Sequence, residues 1–337
     1  MPLDGGWELR AAGRTILRHL PEHPAISVAY GNPAITMVRG NFRLSDVCVA
    51  AAPLIRSNRD SAGQLLLASA DDSAAVAVDV EGARLTFTAL SGHDRITLDF
   101  LLAEDDILWG GGEQMSYLAL NGRNFPIWTS EPGVGREPGT PITDQASADG
   151  SFAGGDYWTT NYPEPTILCS GGWAISLAND EYVELDAREP GRLRVHVWSG
   201  EVAIDLFEGT PADLTRQLGA RFGKRQPLPE WALGGAVVGL KQGEASFDRL
   251  EKLIDAGAAI SGLWCEDWVG IRETSFGRRL FWDWQWNAER YPNLPARIAA
   301  LKARGMRFLG YVNPYLAVDG PLYPEAEAQG FLAKRLD

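Results

Sequence analysis

The sequence predicts a multi-domain α+β protein, with an N-terminal antiparallel β-sandwich at residues 1–228 and a second domain at residues 229–337. Two observations favour this division. Short runs that alternate apolar and polar residues, as half-buried antiparallel strands do, recur between residues 75 and 207. After residue 229, apolar runs without alternation are each followed by a helical pattern. The second domain is therefore predicted to contain three βα units of a parallel sheet, either open or closed into a barrel.

The strands of the first domain are predicted from their alternation and from the Gly, Asn and Asp residues between them. A helix follows the last strand, because Thr210 suits an N-cap, Pro211 suits a first helical residue, and Leu214 and Leu218 share one face. The predicted strands are residues 75–80, 84–90, 95–101, 173–178, 192–198 and 201–207.

Residues 223–230 contain two prolines and are predicted to be a linker. The run at 233–240 lacks polar residues in alternation, so we expect this strand to be buried on both faces. Three βα units leave a parallel edge uncovered, and we therefore expect the chain to be a truncated form of a longer protein. Beyond the linker, the predicted strands are 233–240, 259–264 and 306–312, and the predicted helices are 244–256, 294–304 and 324–330.

The composition excludes several classes of function. A formal charge of −13 and the lack of a basic block argue against nucleic-acid binding. No apolar run approaches the roughly 18 residues of a membrane span, and the first residues lack a signal-peptide pattern. The three cysteines are few and far apart, which favours reduced thiols in a cytoplasmic protein. The sequence carries no signal for an oligomeric state.

No metal or cofactor site is predicted. The four histidines do not fall at ligand spacings with a second histidine or a cysteine, except for His19 and His23 near a proline-flanked turn. The glycines at 110–112 precede Glu113 instead of a lysine and open no helix, which argues against a phosphate-binding loop.

Residues 264–287 hold five of the twelve tryptophans, together with arginines and carboxylates. Indole rings cover the apolar face of a pyranose while charged groups bind its hydroxyls, so this segment suits the edge of a sugar site. A tryptophan cluster with a solvated charged edge explains the composition equally well.

Polar residues follow the predicted strands of the second domain, at the end where α/β folds place their chemistry. Lys241 follows the first strand, and Glu266 and Asp267 follow the second. Adjacent strand residues point to opposite faces, so these two acids should not be the paired carboxylates that flank one glycosidic bond. We expect one of them to bind sugar hydroxyls and the other to be structural. Lys241 is either a ligand of the sugar or a solvated strand-end lysine.

Arg279 and Trp282 are three residues apart, a spacing that brings side chains together on a helical turn. A guanidinium and an indole N–H together suit an anionic group on a sugar, such as a sulfonate or a carboxylate. The alternative is that the arginine stacks on the indole and braces the loop.

Four long segments resemble family 31 glycoside hydrolases, and within that family the sulfoquinovosidases most closely. The resemblance covers nearly the whole chain and implies a galactose-mutarotase-like β-sandwich, followed by the first part of a (β/α)8 TIM barrel. It also implies hydrolysis of α-glycosides with retention. The segments are WGGGEQMSYLALNGRNFPIWTSEPGVGR (109–136), GGDYWTTNYPEPT (154–166), GLWCEDWVGIRETSFGRRLFWDWQWN (262–287) and FLGYVNPY (308–315).

The resemblance also implies a substrate site. Lys241 and Glu266 match positions that contact the sugar hydroxyls, with Glu266 expected near the 4-hydroxyl. Arg279 and Trp282 match the arginine and the tryptophan that meet the sulfonate. The Lys/Glu pair also resembles that of ordinary α-glucosidases, whereas relatives acting on neutral sugars tend to lack the tryptophan.

The two catalytic aspartates of the family have no counterpart in this chain, so no catalytic residue is predicted and the chain alone is expected to be inactive. We therefore predict the N-terminal portion of a retaining α-glycosidase, with sulfoquinovosyl glycerol or another α-glycoside as its small-molecule substrate. One alternative is an α-glucosidase or α-xylosidase that acts on neutral α-glycosides. The other is a noncatalytic carbohydrate-binding protein.

Overall fold

A computed structural model of the chain describes residues 2–3, 6–38, 41–61, 63–224, 226–275 and 277–334. The chain divides into two compact units, Met1–Lys224 and Arg225–Asp337. Arg225, which falls within the predicted linker, lies outside the described residues.

The first unit consists mainly of β-strands, with helix α1 (Pro141–Ala146) in a loop and helix α2 (Pro211–Phe222) after the last strand. Its strands are β1 (Pro2–Leu3), β2 (Gly6–Ala11), β3 (Arg14–His19), β4 (Ile26–Tyr30), β5 (Pro33–Val38), β6 (Asn41–Asp46), β7 (Val49–Pro53), β8 (Arg56–Arg59), β9 (Leu65–Ala68), β10 (Ala75–Glu81), β11 (Arg84–Ala89), β12 (Arg95–Leu101), β13 (Leu108–Gly112), β14 (Asn124–Ile127), β15 (Pro163–Cys169), β16 (Trp173–Leu177), β17 (Val183–Asp186), β18 (Arg192–Val197) and β19 (Glu201–Glu208).

Two large antiparallel sheets form most of this unit. One has the strand order β13-β15-β16-β19-β11-β10-β9-β8, and the other β14-β17-β18-β12-β4-β7. In strands such as β11 and β18, alternate residues are buried in one apolar core, as the sequence pattern predicts. Within it Phe100 of β12 stacks on Trp173 of β16, with the ring centroids 6.1 Å apart. The six strands predicted from the sequence match β10, β11, β12, β16, β18 and β19 to within one residue at each end.

Helix α2 begins where the sequence predicts. The Thr210 hydroxyl accepts a hydrogen bond from the Asp213 N–H, and the Asp213 carboxylate accepts one from the Thr210 N–H at 3.0 Å. This reciprocal capping box satisfies two backbone donors at the helix start. Leu214 is buried against Phe207 of β19, which anchors the helix to the sheet.

The second unit has three βα units and a parallel sheet whose strands, in spatial order, are β20 (Ala236–Leu240), β21 (Ile260–Cys265) and β24 (Arg307–Gly310). An antiparallel hairpin of β22 and β23, which the sequence did not predict, lies between β21 and the next helix. The elements are α3 (Glu230–Leu233), β20 (Ala236–Leu240), α4 (Ala245–Asp255), β21 (Ile260–Cys265), β22 (Ile271–Thr274), β23 (Gly277–Leu280), α5 (Leu294–Ala303), β24 (Arg307–Gly310) and α6 (Tyr323–Ala328).

The prediction for the first strand of this unit was wrong in extent and in burial. Residues 230–233 form helix α3, and the strand starts only at Ala236, after two glycines. Most of β20 is exposed, including Val237 at 43%, and only Leu240 is buried. Among the described strands, β20 pairs only with β21, so it occupies one edge of this sheet. The third strand is also shorter than predicted, ending at Gly310.

Cys48 is exposed, whereas Cys169 and Cys265 are buried, and all three thiols are free. Across the described ranges, no helix has both the length and the hydropathy needed to cross a membrane.

Candidate functional site

Lys241 and Glu266 lie next to each other at the carboxyl ends of β20 and β21. Parallel strands end at the same edge of a sheet, so the residues that follow them are neighbours in space. The Lys241 ammonium is 3.2 Å from the Glu266 carboxylate, and their side chains are 71% and 30% exposed. This ion pair presents both donors and acceptors to solvent at the strand ends.

Asp267 has a structural role that differs from that of its neighbour Glu266. Its carboxylate is fully buried and accepts hydrogen bonds from the Tyr291 hydroxyl and the Arg290 guanidinium. Arg290 also donates to the Lys241 carbonyl at 3.3 Å. Burial, together with the bond to the carboxylate, raises the pKa of Tyr291, so the phenol remains a donor. Asp267 thus links the end of β21 to the end of β20.

Arg279 lies in strand β23 of the hairpin, and the prediction of a helical turn from Arg279 to Trp282 was wrong. Hairpin pairing places Arg279 opposite Arg272, and the chain leaves the strand at Leu280. Its guanidinium donates to the Arg278 carbonyl at 3.0 Å. No carboxylate among the described residues pairs with Arg279, whereas Arg278 pairs with Glu273 at 3.2 Å.

Trp282 is half-buried in the loop after β23. Its ring packs edge-on against Tyr311, with centroids 5.3 Å apart and planes at 67°. Its carbonyl accepts a hydrogen bond from the Ala317 N–H at 2.6 Å, which fixes the backbone. In the described part of the chain, neither a hydrogen-bond partner for the indole N–H nor a stacking contact with Arg279 is found. The brace of arginine on tryptophan is therefore not formed.

The four predicted site residues line one cavity of about 480 Å³. Four cations surround it against two carboxylates, so the local charge is positive in a chain whose formal charge is −13. Such a cavity has the size and polarity to bind a small anionic ligand. Its lining consists of Lys241, Glu266, Asp267, Ile271, Arg278, Arg279, Leu280, Trp282 and Arg290.

The expectation that the tryptophan-rich segment as a whole borders a sugar site was too broad. Of its five tryptophans, all of them in the described part of the chain, Trp282 alone lines this cavity. Trp268 and Trp286 line a separate apolar cavity, and Trp284 lines a third. Trp264 packs edge-on against Tyr311. Conversely, Arg278 and Arg290 line the site but were not selected from the sequence; Arg290 lies beyond the tryptophan-rich segment.

No protein-family model matches the chain, but similar proteins are found by sequence. The chain is 45% identical to the sulfoquinovosidase of Agrobacterium fabrum over 335 residues, and this alignment covers 98% of this chain and 50% of that protein. It is 36% identical to the sulfoquinovosidase of Escherichia coli, covering 95% of this chain and 49% of that protein. The chain therefore spans about half the length of these relatives.

A solved structure agrees with the sequence relatives. The fold is similar to that of a family 31 sulfoquinovosidase from E. rectale in complex with an aza-sugar inhibitor, at a TM-score of 0.86 and 34% identity. That match covers 98% of this chain and 50% of the other. By sequence and by fold, the chain is thus a homologue of the sulfoquinovosidases of glycoside hydrolase family 31, as its motifs predicted.

Proposed function

We propose that the cavity at the ends of β20 and β21 binds the sugar of an α-sulfoquinovoside, and that the chain supplies this binding site to a retaining α-glycosidase. The observation that carries the proposal is the position of Arg279. It is a cation without a carboxylate partner among the described residues, and it lines the same cavity as Trp282, Lys241 and Glu266.

The two halves of the cavity suit two parts of a sulfosugar. Arg279 and the indole N–H of Trp282 offer donors to a sulfonate, and each charge-assisted hydrogen bond contributes about 1.5–3 kcal/mol when desolvated. Lys241 donates to hydroxyl oxygens, and Glu266 accepts from hydroxyl protons, with the 4-hydroxyl as its proposed partner. The positive local charge favours an anionic sugar over a neutral one.

The architecture supports the same assignment. We propose that residues 1–228 form a galactose-mutarotase-like β-sandwich and that residues 229–337 form the first three βα units of a (β/α)8 barrel. In barrel enzymes, substrate residues lie at the carboxyl ends of strands, where Lys241 and Glu266 are. The family's nucleophile and general acid have no match in these residues, so the chemical steps would require groups outside the chain.

In the complete enzyme, one carboxylate would attack the anomeric carbon while a second protonates the leaving oxygen. Water would then release the sugar from the covalent intermediate with retention of configuration. The residues of this chain would hold the pyranose in place by its sulfonate and hydroxyls while these steps occur.

The test compares hydrolysis of 4-nitrophenyl α-sulfoquinovoside and 4-nitrophenyl α-glucoside by the complete protein that contains this sequence. We expect preference for the sulfosugar and a loss of about 10- to 100-fold in kcat/KM on that substrate for Arg279→Ala. Arg304→Ala is the matched control, because it removes an exposed arginine that pairs with Glu251 and does not line the cavity.

Two results would redirect the proposal. Preference for the α-glucoside, with no effect of Arg279→Ala, would assign the protein to the neutral-sugar glycosidases. Binding of sulfoquinovose without hydrolysis of either substrate by the complete protein would assign it to noncatalytic carbohydrate-binding proteins.

A further inference from the structure

Three side chains with metal-ligand atoms converge in the first unit, on residues that the sugar site does not use. Asp46 ends strand β6, Cys48 lies in the connection to β7, and His196 lies in β18, 148 residues further along the chain. One ligand atom from each lies within 4.8 Å of the other two. Sequence spacing did not indicate this cluster, because folding alone brings His196 to Cys48.

The separations are close to those of a tetrahedral site. The Cys48 Sγ lies 3.8 Å from the Asp46 Oδ2 and 4.0 Å from the His196 Nε2. With Zn–S near 2.3 Å and Zn–N or Zn–O near 2.0–2.2 Å, tetrahedral ligand atoms lie about 3.5 Å apart. The Cys48 thiol would have to move inward by about half an ångström to reach these separations from both neighbours. Cys48 is exposed, so it can move, and the ion can enter from solvent.

His196 is held in the orientation that such a site requires. Its Nδ1 is 2.8 Å from the Thr97 hydroxyl on the neighbouring strand β12. In the tautomer in which Nδ1–H donates to the hydroxyl, the Nε2 lone pair is directed towards Cys48 and is available to an ion. Metal-binding histidines are commonly oriented by a hydrogen bond of this kind at the other ring nitrogen.

The Asp46 carboxylate is also fixed in place. It accepts hydrogen bonds from the Asn32 N–H at 2.7 Å and from the Arg95 Nε at 2.6 Å, and its side chain is only 8% exposed. A carboxylate has about four acceptor positions, so these two bonds leave room for an ion. The Arg95 cation opposes metal binding. Negative charge that favours it comes from a Cys48 thiolate and from Glu184, which lies opposite His196 in the pairing of β17 with β18.

We propose that Asp46, Cys48 and His196 bind a borderline-soft divalent cation of the zinc type, with water in the fourth position. Sulfur and imidazole donors select such ions over magnesium or calcium, which prefer oxygen ligands. The thiol proton is released on binding, because the thiolate is the ligand. The ion would join the β6–β7 connection to β18 and stabilise this unit.

The experiment titrates the metal-free, reduced chain with Co²⁺ and records thiolate-to-cobalt charge-transfer absorption in the near ultraviolet. We expect one equivalent of Co²⁺ to give this band and Zn²⁺ to displace it. Cys48→Ser should abolish the band, and Thr97→Val should weaken Co²⁺ binding about 10-fold or more. His23→Gln, which changes an exposed histidine outside the cluster, should leave binding unchanged.

Melting temperatures are also measured with and without Zn²⁺. They show whether a variant is folded, so that a loss of metal binding is not confused with a loss of folding. Zn²⁺ should raise the melting temperature of the wild-type chain but not that of folded Cys48→Ser. The proposal would be overturned if the wild-type chain gave no thiolate band, in which case the cluster is only hydrogen-bonded. It would also be overturned if Cys48→Ser retained the band, because another thiol would then be the ligand.

Discussion

Asp267→Asn should strongly destabilise the second unit, because Asp267 is the buried link between the two strand ends that form the cavity. The substitution keeps the side-chain shape and removes the charge that holds Arg290. Removing one partner of a buried ion pair costs about 3–5 kcal/mol. The asparagine oxygen can still accept from Tyr291, and Arg290 is 25% exposed and reaches water, so we expect about 2–4 kcal/mol.

The assay is urea unfolding of the chain, followed by circular dichroism. At a slope of about 2 kcal/mol per molar urea, the transition of the second unit should move down by about 1–2 M. Glu273→Gln is the matched control, because it breaks an ion pair with Arg278 in the same region whose side chains are 75% and 68% exposed. Such an exposed pair contributes at most about 1 kcal/mol. Equal costs for the two substitutions would refute the structural role of Asp267.

Three further predictions concern stability. Burial lowers the pKa of His19 to about 4, so the unfolded chain binds a proton between pH 6.5 and 4 that the folded chain does not. Lowering the pH from 7 to 5 should therefore reduce the unfolding free energy of the wild-type chain by about 2 kcal/mol, as measured by urea unfolding. His19→Gln should not show this loss, whereas the control His23→Gln should. Thr210→Ala removes the cap of α2 and should lower the unfolding free energy by about 1 kcal/mol, whereas Thr210→Ser should not. Gly270 has φ +94° and a new Cβ would meet Asn287, so Gly270→Ala should lower the melting temperature by an amount equivalent to about 1–3 kcal/mol.

Alternation of apolar and polar residues predicted six strands of the first unit, but it missed β17, whose burial also alternates, and β16 is buried along its whole length. It could not predict β5, which pairs with β6 in a hairpin, because nearly all of β5 is exposed and its burial does not alternate. The strand at 233–240 was predicted as too long and too buried, because an apolar composition does not show which neighbours cover a strand. The two glycines that separate α3 from β20 were the available signal.

The residues of the candidate site were also only partly predictable from the sequence. Strand ends identified Lys241 and Glu266, because position after a parallel strand is readable from sequence. The spacing of Arg279 and Trp282 suggested a helical turn. Instead, Arg279 lies in strand β23 and Trp282 in the loop that follows it, and both residues line the cavity. Arg290 was missed because it lies beyond the tryptophan-rich segment and reaches the cavity through its bond to buried Asp267.

We propose that Arg279 and Trp282 recognise the acidic group of a sugar. Isothermal titration of the chain with sulfoquinovose and with glucose tests it most directly, using wild type, Arg279→Gln and Trp282→Phe. We expect sulfoquinovose to bind more tightly than glucose and its Kd to rise about 10- to 100-fold in Arg279→Gln, with little change for glucose. Equal affinity of the wild-type chain for the two sugars, or an unchanged Kd for sulfoquinovose in Arg279→Gln, would contradict the account.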